Sequence, residues 1–410
     1  MALFRSRSNN ESTGDPFLDA VISFTSTDGV TYTSAMAIRN SDVFTAVQII
    51  SQDIASSPIQ LMVNGIAEED NDLNYLLNVK PNDLTDAWHF KFAMAANMLL
   101  NGNSYAHIIR DKAKNPVRLD FIPVSEMKSV DLDHGKIFYT HDLGQGKTKE
   151  YPAQDILHFK MFTTDGLMGE SPLLSLRNEL AQQDAAKRTL LANFKKGVNG
   201  SGILKVKKSN LDKESKDNIR KQFEESNAGE GNALRTLILD DTMEYTPIEI
   251  NTEILKLVNN NVYTTKQIAK AFGGIPLDRM GIETVNTSLE TANLTYLQNT
   301  LSHYFSALSS ELNIKLLGYP LNREQSFKFN TDRLREVDPT KKVENVSKLI
   351  QNSILTINEA RKEYGKPPVE GGDKLLVSLN YADLTKLDEY QANKQNNNAP
   401  ISSEGGENQS

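Results

Sequence analysis

From residue 41 to 57 apolar side chains recur every three or four positions. Val43, Val47, Ile50 and Ile54 form one stripe behind a Ser41 cap, which predicts an amphipathic helix ended by Pro58. Ile59 to Val63 predicts a strand, and a second helix is predicted over about 84–101. Across 104–162 the pattern shortens to strands at Tyr105–Ile109, Arg118–Pro123, Ile137–Thr140 and Ile156–Phe162. Turn residues such as Asp133-His134-Gly135 and Gly144-Gln145-Gly146 separate them, as expected of an α+β domain with much antiparallel sheet.

The middle of the chain changes character. Ser171-Pro172 is a strong helix start, and the helix it predicts runs unbroken to Lys196 with Gly197 as its stop, a length of ~37 Å. Its centre, 181–188, carries no wide apolar stripe, so it is expected to pack against sister helices or line water. Residues 198–249 predict a compact insert: strands at Gly202–Val206, Leu234–Leu239 and Met243–Ile248 around a charged helix over Leu211–Glu225. A helix from Thr252 is expected to loosen at Asn259-Asn260-Asn261, restart at Thr264 and stop at Gly273-Gly274. Residues 274–286 read as a loop, followed by a very long helix from Asn286 to Leu317 striped by Leu297, Leu301, Tyr304, Leu308 and Leu312. A strand over 326–332 and helices over about 339–353 and 357–364 complete the ordered pattern, the last with a Thr356–Glu359 capping box. The polar, low-complexity tail predicts disorder.

Composition narrows the function. The 410 residues contain no cysteine, which excludes disulfides and thiolate metal sites, and the formal net charge of −8 argues against a static grip on nucleic acid. No apolar run of membrane-spanning length is present, so no membrane partner is expected. Gly144-Gln145-Gly146-Lys147-Thr148 fails as a phosphate loop, because the required earlier glycine is His141 and Tyr151-Pro152 follows where a helix is needed; it reads as a hairpin turn. None of the six histidines has metal-ligand spacing on a helix, and Asp70 and Asp72 lack the glycine and closing glutamate of a calcium loop, which leaves an acidic turn. No nucleophile elbow exists. No catalytic residue, metal or cofactor is therefore expected. Two other classes stay open on the residues alone: a nucleic-acid-processing enzyme, and an adaptor acting as a monomer or small oligomer.

Several phrases occur in a telling order. They are Ser41-Asp42-Val43-Phe44-Thr45-Ala46-Val47 with Asp53-Ile54-Ala55, Asn101-Gly102-Asn103-Ser104-Tyr105-Ala106 with Arg110-Asp111, and Asp155-Ile156-Leu157-His158-Phe159-Lys160. Then come Asp165-Gly166-Leu167-Met168-Gly169-Glu170-Ser171-Pro172, Ile268-Ala269-Lys270-Ala271-Phe272-Gly273-Gly274-Ile275-Pro276, and Asn358-Glu359-Ala360-Arg361 with Gly365-Lys366-Pro367-Pro368 and Gly371-Gly372-Asp373. In this order and spacing the chain resembles, over about 40–375, the portal proteins of tailed bacteriophages associated with the HK97-like capsid fold.

That resemblance implies an α+β portal fold with an α/β wing, a two-helix stem, a small α/β clip, a long kinked wing helix and a helical crown. The implied divisions are a flexible 1–19, wing 20–171 and 287–335, stem helices 172–197 and 250–272, clip 198–249, tunnel loop 273–286, crown 336–378 and a disordered 379–410. It also implies a homo-oligomeric, dodecameric ring at one capsid vertex of the virion, assembled in the host cytoplasm. The implied partners are the major capsid protein, with a scaffolding role in capsid assembly, the terminase large subunit, a head-completion or adaptor protein, and double-stranded DNA passing without sequence specificity. For the loop it points to Gly273, Gly274 and Gly281 as hinges and to Arg279, Met280, Thr284 and Asn286 as residues near DNA. Lys266 and Lys270 are channel-facing candidates in the stem, and Lys213, Lys216, Arg220 and Lys221 are candidate clip contacts.

Overall fold

Asn40, one residue earlier than expected, caps the first helix: its side chain accepts from the backbone N–H of Asp42 and Val43, leaving Ser41 inside helix α1 (Ser41–Ser56). The predicted stripe is buried, with Val43, Val47, Ile50 and Ile54 packed in the core that α1 shares with α3 (Ala87–Asn101). Strand β1 (Ile59–Val63) pairs antiparallel with β2 (Ile66–Glu68) across an Asn64-Gly65 turn in which both residues have positive φ. On its other side β1 pairs with β11 (Gln325–Phe329), which sets Leu61 opposite Phe327, both in the core. Between β2 and α3 lies a short helix, α2 (Asp72–Asn78), where the sequence suggested only an acidic turn. Asn71 caps it, and Leu76 and Leu77 carry it into the core.

The computed structural model describes residues 40–68, 70–196, 202–206, 212–227, 243–247, 253–283, 289–317, 324–335 and 339–376. The expectations for 1–39, 377–410 and the strand at 234–239 lie outside them. The chain divides into two units, 1–335 and 336–410.

Two three-stranded antiparallel sheets follow α3. One is β4-β3-β8, built from β3 (Asn103–Arg110), β4 (Pro116–Ile122) and β8 (Ile156–Lys160). The other is β5-β6-β7, built from β5 (Met127–Asp133), β6 (Lys136–Asp142) and β7 (Thr148–Pro152). The Gly144–Lys147 segment is the β6–β7 hairpin turn, with Gly144, Gln145 and Gly146 all at positive φ. A small second core of Tyr105, Ile122, Tyr139, Tyr151 and Ile156 lies where the two sheets meet.

A polar knot fixes the path out of the first sheet. Gly102 sits at φ +78°, and a Cβ on Gly169 would lie 2.1 Å from the Gly102 carbonyl oxygen. Only two glycines let the strands approach this closely. Across the gap Asn103 Oδ1 accepts from Gly169 N at 2.7 Å, and its Nδ2 donates to Gly169 O at 2.8 Å. The same Oδ1 lies 2.9 Å from His158 Nε2, and His158 Nδ1 lies 3.0 Å from the Tyr139 hydroxyl. Burial holds the His158 pKa well below its ordinary value of 6.5. Ser171, two residues past the knot, donates to Leu99 O and caps Leu173 N at 3.2 Å.

That cap starts a single 3-10 turn (Pro172–Leu174), not the long helix itself. Helix α4 begins at Arg177 and runs to Lys196, 20 residues or ~30 Å, shorter than the sequence suggested. Leu173, Leu176 and Leu180 enter the core, and from 181 to 188 only Gln183 is buried. Helix α4 is thus rooted at one end and polar through 181–188. Beyond it, β9 (Gly202–Val206) pairs antiparallel with β10 (Met243–Pro247) across helix α5 (Lys213–Asn227). Helix α6 (Glu253–Ala271) is continuous through Asn259-Asn260-Asn261, against the expected loosening. Asparagine costs a helix only about half a kcal/mol per residue, less than opening the backbone ladder on both sides.

The long helix after the loop comes as α7 (Leu289–Tyr296), a π turn (Leu297–Leu301) and α8 (Ser302–Leu316). Its stripe of Leu297, Leu301, Tyr304, Leu308 and Leu312 is buried as predicted. A one-turn helix, α9 (Asp332–Arg335), closes this unit. In the second unit, α10 (Pro339–Gln351) precedes α11 (Ile357–Glu363), whose Thr356–Glu359 capping box is formed. Asn358 ties α11 to the segment after it, accepting from Val369 N at 2.8 Å and donating to Asp373 Oδ1 at 2.8 Å.

Two measurements test the knot. Gly169→Ala forces a methyl against backbone that cannot yield, and denaturant unfolding is expected to show a loss of about 3 kcal/mol. His158 is neutral when folded and protonates more readily when unfolded, so below about pH 6.5 the unfolded state takes up the extra proton and stability falls as pH falls. The slope from this group is about 1.4 kcal/mol per pH unit and disappears in His158→Phe; unfolding midpoints between pH 7.5 and 5.5 read it.

Candidate channel loop and its anchors

Helix α6 ends in a Schellman motif. Gly274 N donates to Ala269 O at 2.9 Å and Gly273 N to Lys270 O at 3.1 Å, with Gly273 at φ +95°. The turn that follows is held from above by the long helix. Thr300, within the π turn, donates through its hydroxyl to Gly273 O at 2.7 Å, and Tyr304 Oη donates to Phe272 O at 3.0 Å. A Cβ on Gly273 would sit 3.2 Å from Thr300 Cγ2, so this glycine is required twice, by its φ and by its neighbour. Phe272, Ile275 and Met280 are buried in the core.

Arg279 closes the loop back on the body. Its Nη1 donates to Asp53 Oδ2 at 2.9 Å, its Nη2 donates to Asn293 Oδ1 at 2.7 Å, and the guanidinium lies 4.6 Å from the centre of the Tyr296 ring. One side chain thereby joins the last turn of α1, the loop and α7. Burial raises the Asp53 pKa, while the Arg279 charge works in the opposite direction. The pair is partly buried, and removing one partner leaves the other with its desolvation cost.

At the other end of α1, Asp42 Oδ2 accepts from Thr265 Oγ1 of α6 at 2.8 Å and from Gln183 Nε2 of α4 at 3.1 Å. Gln183 also accepts from Asn40 Nδ2. One carboxylate therefore holds both long helices where they leave the core.

The comparisons with known proteins address the whole of this architecture. The family model described as phage portal protein matches residues 41–365. The chain belongs to the phage portal protein family. It is 25% identical to the portal protein of Enterobacteria phage HK97 over 364 residues, covering 85% of this chain and 84% of that one. It is 23% identical to a probable portal protein of Streptomyces phage phiC31, covering 87% and 81%. Among solved structures it is similar to an HK97-family phage portal protein from Corynebacterium diphtheriae, with a TM-score of 0.57, 15% identity and coverage of 76% and 100%. It is also similar to a chain in the neck of an empty GTA particle computed with C6 symmetry, with a TM-score of 0.57, 22% identity and coverage of 81% and 92%. The mixed helix-and-sheet fold is that of the portal proteins.

The portal phrases in the sequence map onto the polar junctions. The first contains Asp42 and Asp53, the next three meet at the Gly102–Gly169 knot, the Phe272-Gly273-Gly274 phrase forms the Schellman turn, and the last contains Asn358.

The structure treats the candidate residues unequally. Gly273, Gly274 and Gly281 are exposed and have positive φ, which the Schellman turn requires of Gly273. Arg279 and Met280 are corrected: both turn inward, Arg279 to Asp53 and Met280 into the core, because a charge–carboxylate pair and apolar burial each outweigh exposure there. The exposed charges left on the described loop are acidic, Asp278 and Glu283. Thr284 and Asn286 lie outside the described residues. Lys266 and Lys270 are exposed on one i, i+4 stripe of α6 with Val262, across from Ile268 and Ala269 in the core. Lys213, Lys216, Arg220 and Lys221 are exposed on α5, where Arg220 pairs with Asp217 at 3.1 Å. Among the described residues no cluster of His, Cys, Asp or Glu is disposed to hold a metal. Sequence reading missed Asp42, Asp53, Gln183, Thr265 and Thr300 as anchors; the only signal was the presence of both aspartates in the first portal phrase.

Arg279→Ala tests the latch. Stability at pH 8 is expected to fall by about 2 kcal/mol, since it leaves a half-buried Asp53 carboxylate without its cation. The deficit shrinks as pH falls towards the raised Asp53 pKa, where protonation removes the stranded charge; chemical unfolding at pH 5 and pH 8 measures the difference.

Proposed function

We propose that this chain is one subunit of a ring-shaped portal, a passive channel for double-stranded DNA at a capsid vertex. The observation that carries this reading is the family match across 41–365, joined to a portal fold. In this reading α4 and α6 belong to the stem, β9–α5–β10 to the clip, 273–286 is the tunnel loop and 336–378 the crown. The portal nucleates capsid assembly with the major capsid protein, docks the terminase large subunit by its clip and later holds a head-completion or adaptor protein. Nucleotide hydrolysis belongs to the terminase, and no catalytic step is assigned to the chain. Its place is the virion, after assembly in the host cytoplasm.

Physical features support a ring and a passive lumen. Helix α4 is buried at its root and polar beyond, and exposed Leu191, Val262 and Tyr263 on the two stem helices supply apolar area for neighbours. A closed ring brings each such face against a different face of the next copy, and a neck particle carrying a similar chain was computed with C12 symmetry. The loop turns its arginine inward and leaves Asp278 and Glu283 outermost. Carboxylates there repel phosphate and deny the duplex a deep binding well, so DNA can slide.

Negative-stain images of the purified protein, with native mass spectrometry, test the proposal. Rings with a central hole are expected. Compact monomers alone at high protein concentration would overturn it, and metal-dependent turnover of nucleic acid lost on a single carboxylate substitution would favour the enzyme alternative.

A further inference from the structure

Asp42 and Asp53 are eleven residues apart on α1, which places them about 16 Å apart along the axis and only about 20° apart around it. They project from one face of one rigid rod. Asp42 holds Thr265 of α6 and Gln183 of α4, and Asp53 holds Arg279 of the loop. Thr265 and Arg279 are the two ends of one continuous stretch of chain, the last turns of α6 and the loop after it. That stretch is therefore pinned at both ends to the same helix. The rod itself is held by Val43, Val47, Ile50 and Ile54 in the core.

We propose that α1 is a tie-bar that makes the loop and the two long helices move as one body, with Asp42 and Asp53 as its positioning residues. While both ties hold, a tilt of α4 or α6 carries α1, and α1 carries Arg279. Releasing Asp42 uncouples the helices from the rod and leaves the loop held by Arg279 at one end and by Thr300 and Tyr304 of the long helix at the other. Releasing Asp53 frees the loop alone. The coupling is a property of the single chain; only its consequence, that a strain in the stem reaches the lumen, rests on the channel reading.

Hydrogen exchange on the full-length protein reads this directly. Met280 N, Gly281 N and Ile282 N are bonded within the loop, to Leu277 O, Asp278 O and Leu277 O, and report its opening. Arg279→Ala is expected to speed exchange at these amides about tenfold. Asp42→Ala, which touches none of them, is expected to do the same, and Asp42→Asn, which keeps an acceptor for Thr265, much less. Combining Asp42→Ala with Arg279→Ala adds little beyond Arg279→Ala alone, because both release one coupled element. Core amides such as Leu99 and Ile108 change only by the factor that the loss of global stability in the same variant predicts. Loop amides at wild-type rates in Asp42→Ala, fully multiplicative effects in the double variant, or a loop change fully accounted for by the loss of global stability would each overturn the tie-bar. Should Asp42→Ala not fold, Thr265→Val removes one donor and leaves the carboxylate, with the same direction expected at the loop amides. Ring images of the same variants separate the two ideas: intact rings with loop amides at wild-type rates in Asp42→Ala overturn the tie-bar and leave the portal reading standing.

Discussion

Gly102 and Gly169 bring two stretches of backbone so close that no Cβ fits between them, and Asn103 stitches the gap with two hydrogen bonds. Much else follows from that contact. It sets the end of α3 against the segment that becomes α4, so it fixes where a long, mostly polar helix leaves the core. It also draws His158 and Tyr139 into the same network and so registers one sheet against the next. Asn103, His158 and Tyr139 each find a partner inside the knot, as buried polar side chains need.

The same logic governs the other exits from the core. Long helices that must project beyond their own hydrophobic support are held by charged or amide side chains at the point of departure. Asp42 does this for α4 and α6, and Thr300 and Tyr304 do it for the turn after α6. Apolar packing supplies most of the stability of the body. The polar contacts choose direction, because a hydrogen bond is lost over a few tenths of an ångström whereas apolar contact tolerates sliding.

Much of the fold was legible because its signals are local. The α1 stripe, β1, the Asp133-His134-Gly135 and Gly144–Lys147 turns, the Gly273 stop and the leucine stripe of the long helix each depend on neighbours within a turn or two. Strands β5 and β7 were missed, since both are largely exposed and β7 contains Pro152. The late start of α4 was missed because Ser171 and Pro172 do cap a helical turn, only a 3-10 one. The anchors were beyond reach for a different reason. Asp42 and Gln183 are 141 residues apart, Asp53 and Arg279 are 226 apart, and no spacing rule links them. The resemblance pointed to Arg279 as a residue near DNA, and only the tertiary pairing shows its bond to Asp53.

With Arg279 neutralised from within, the outer charge of the loop is that of Asp278 and Glu283. In a closed ring of identical subunits symmetry multiplies that charge by the number of copies and arranges it as a collar. In the proposed channel, DNA at the centre of such a collar would meet these carboxylates from every direction, each of them screened over ~8 Å in physiological salt. A single codon change at position 278 would be written around the entire circumference at once. The collar is thus a feature on which selection acts in whole rings, with no intermediate dose.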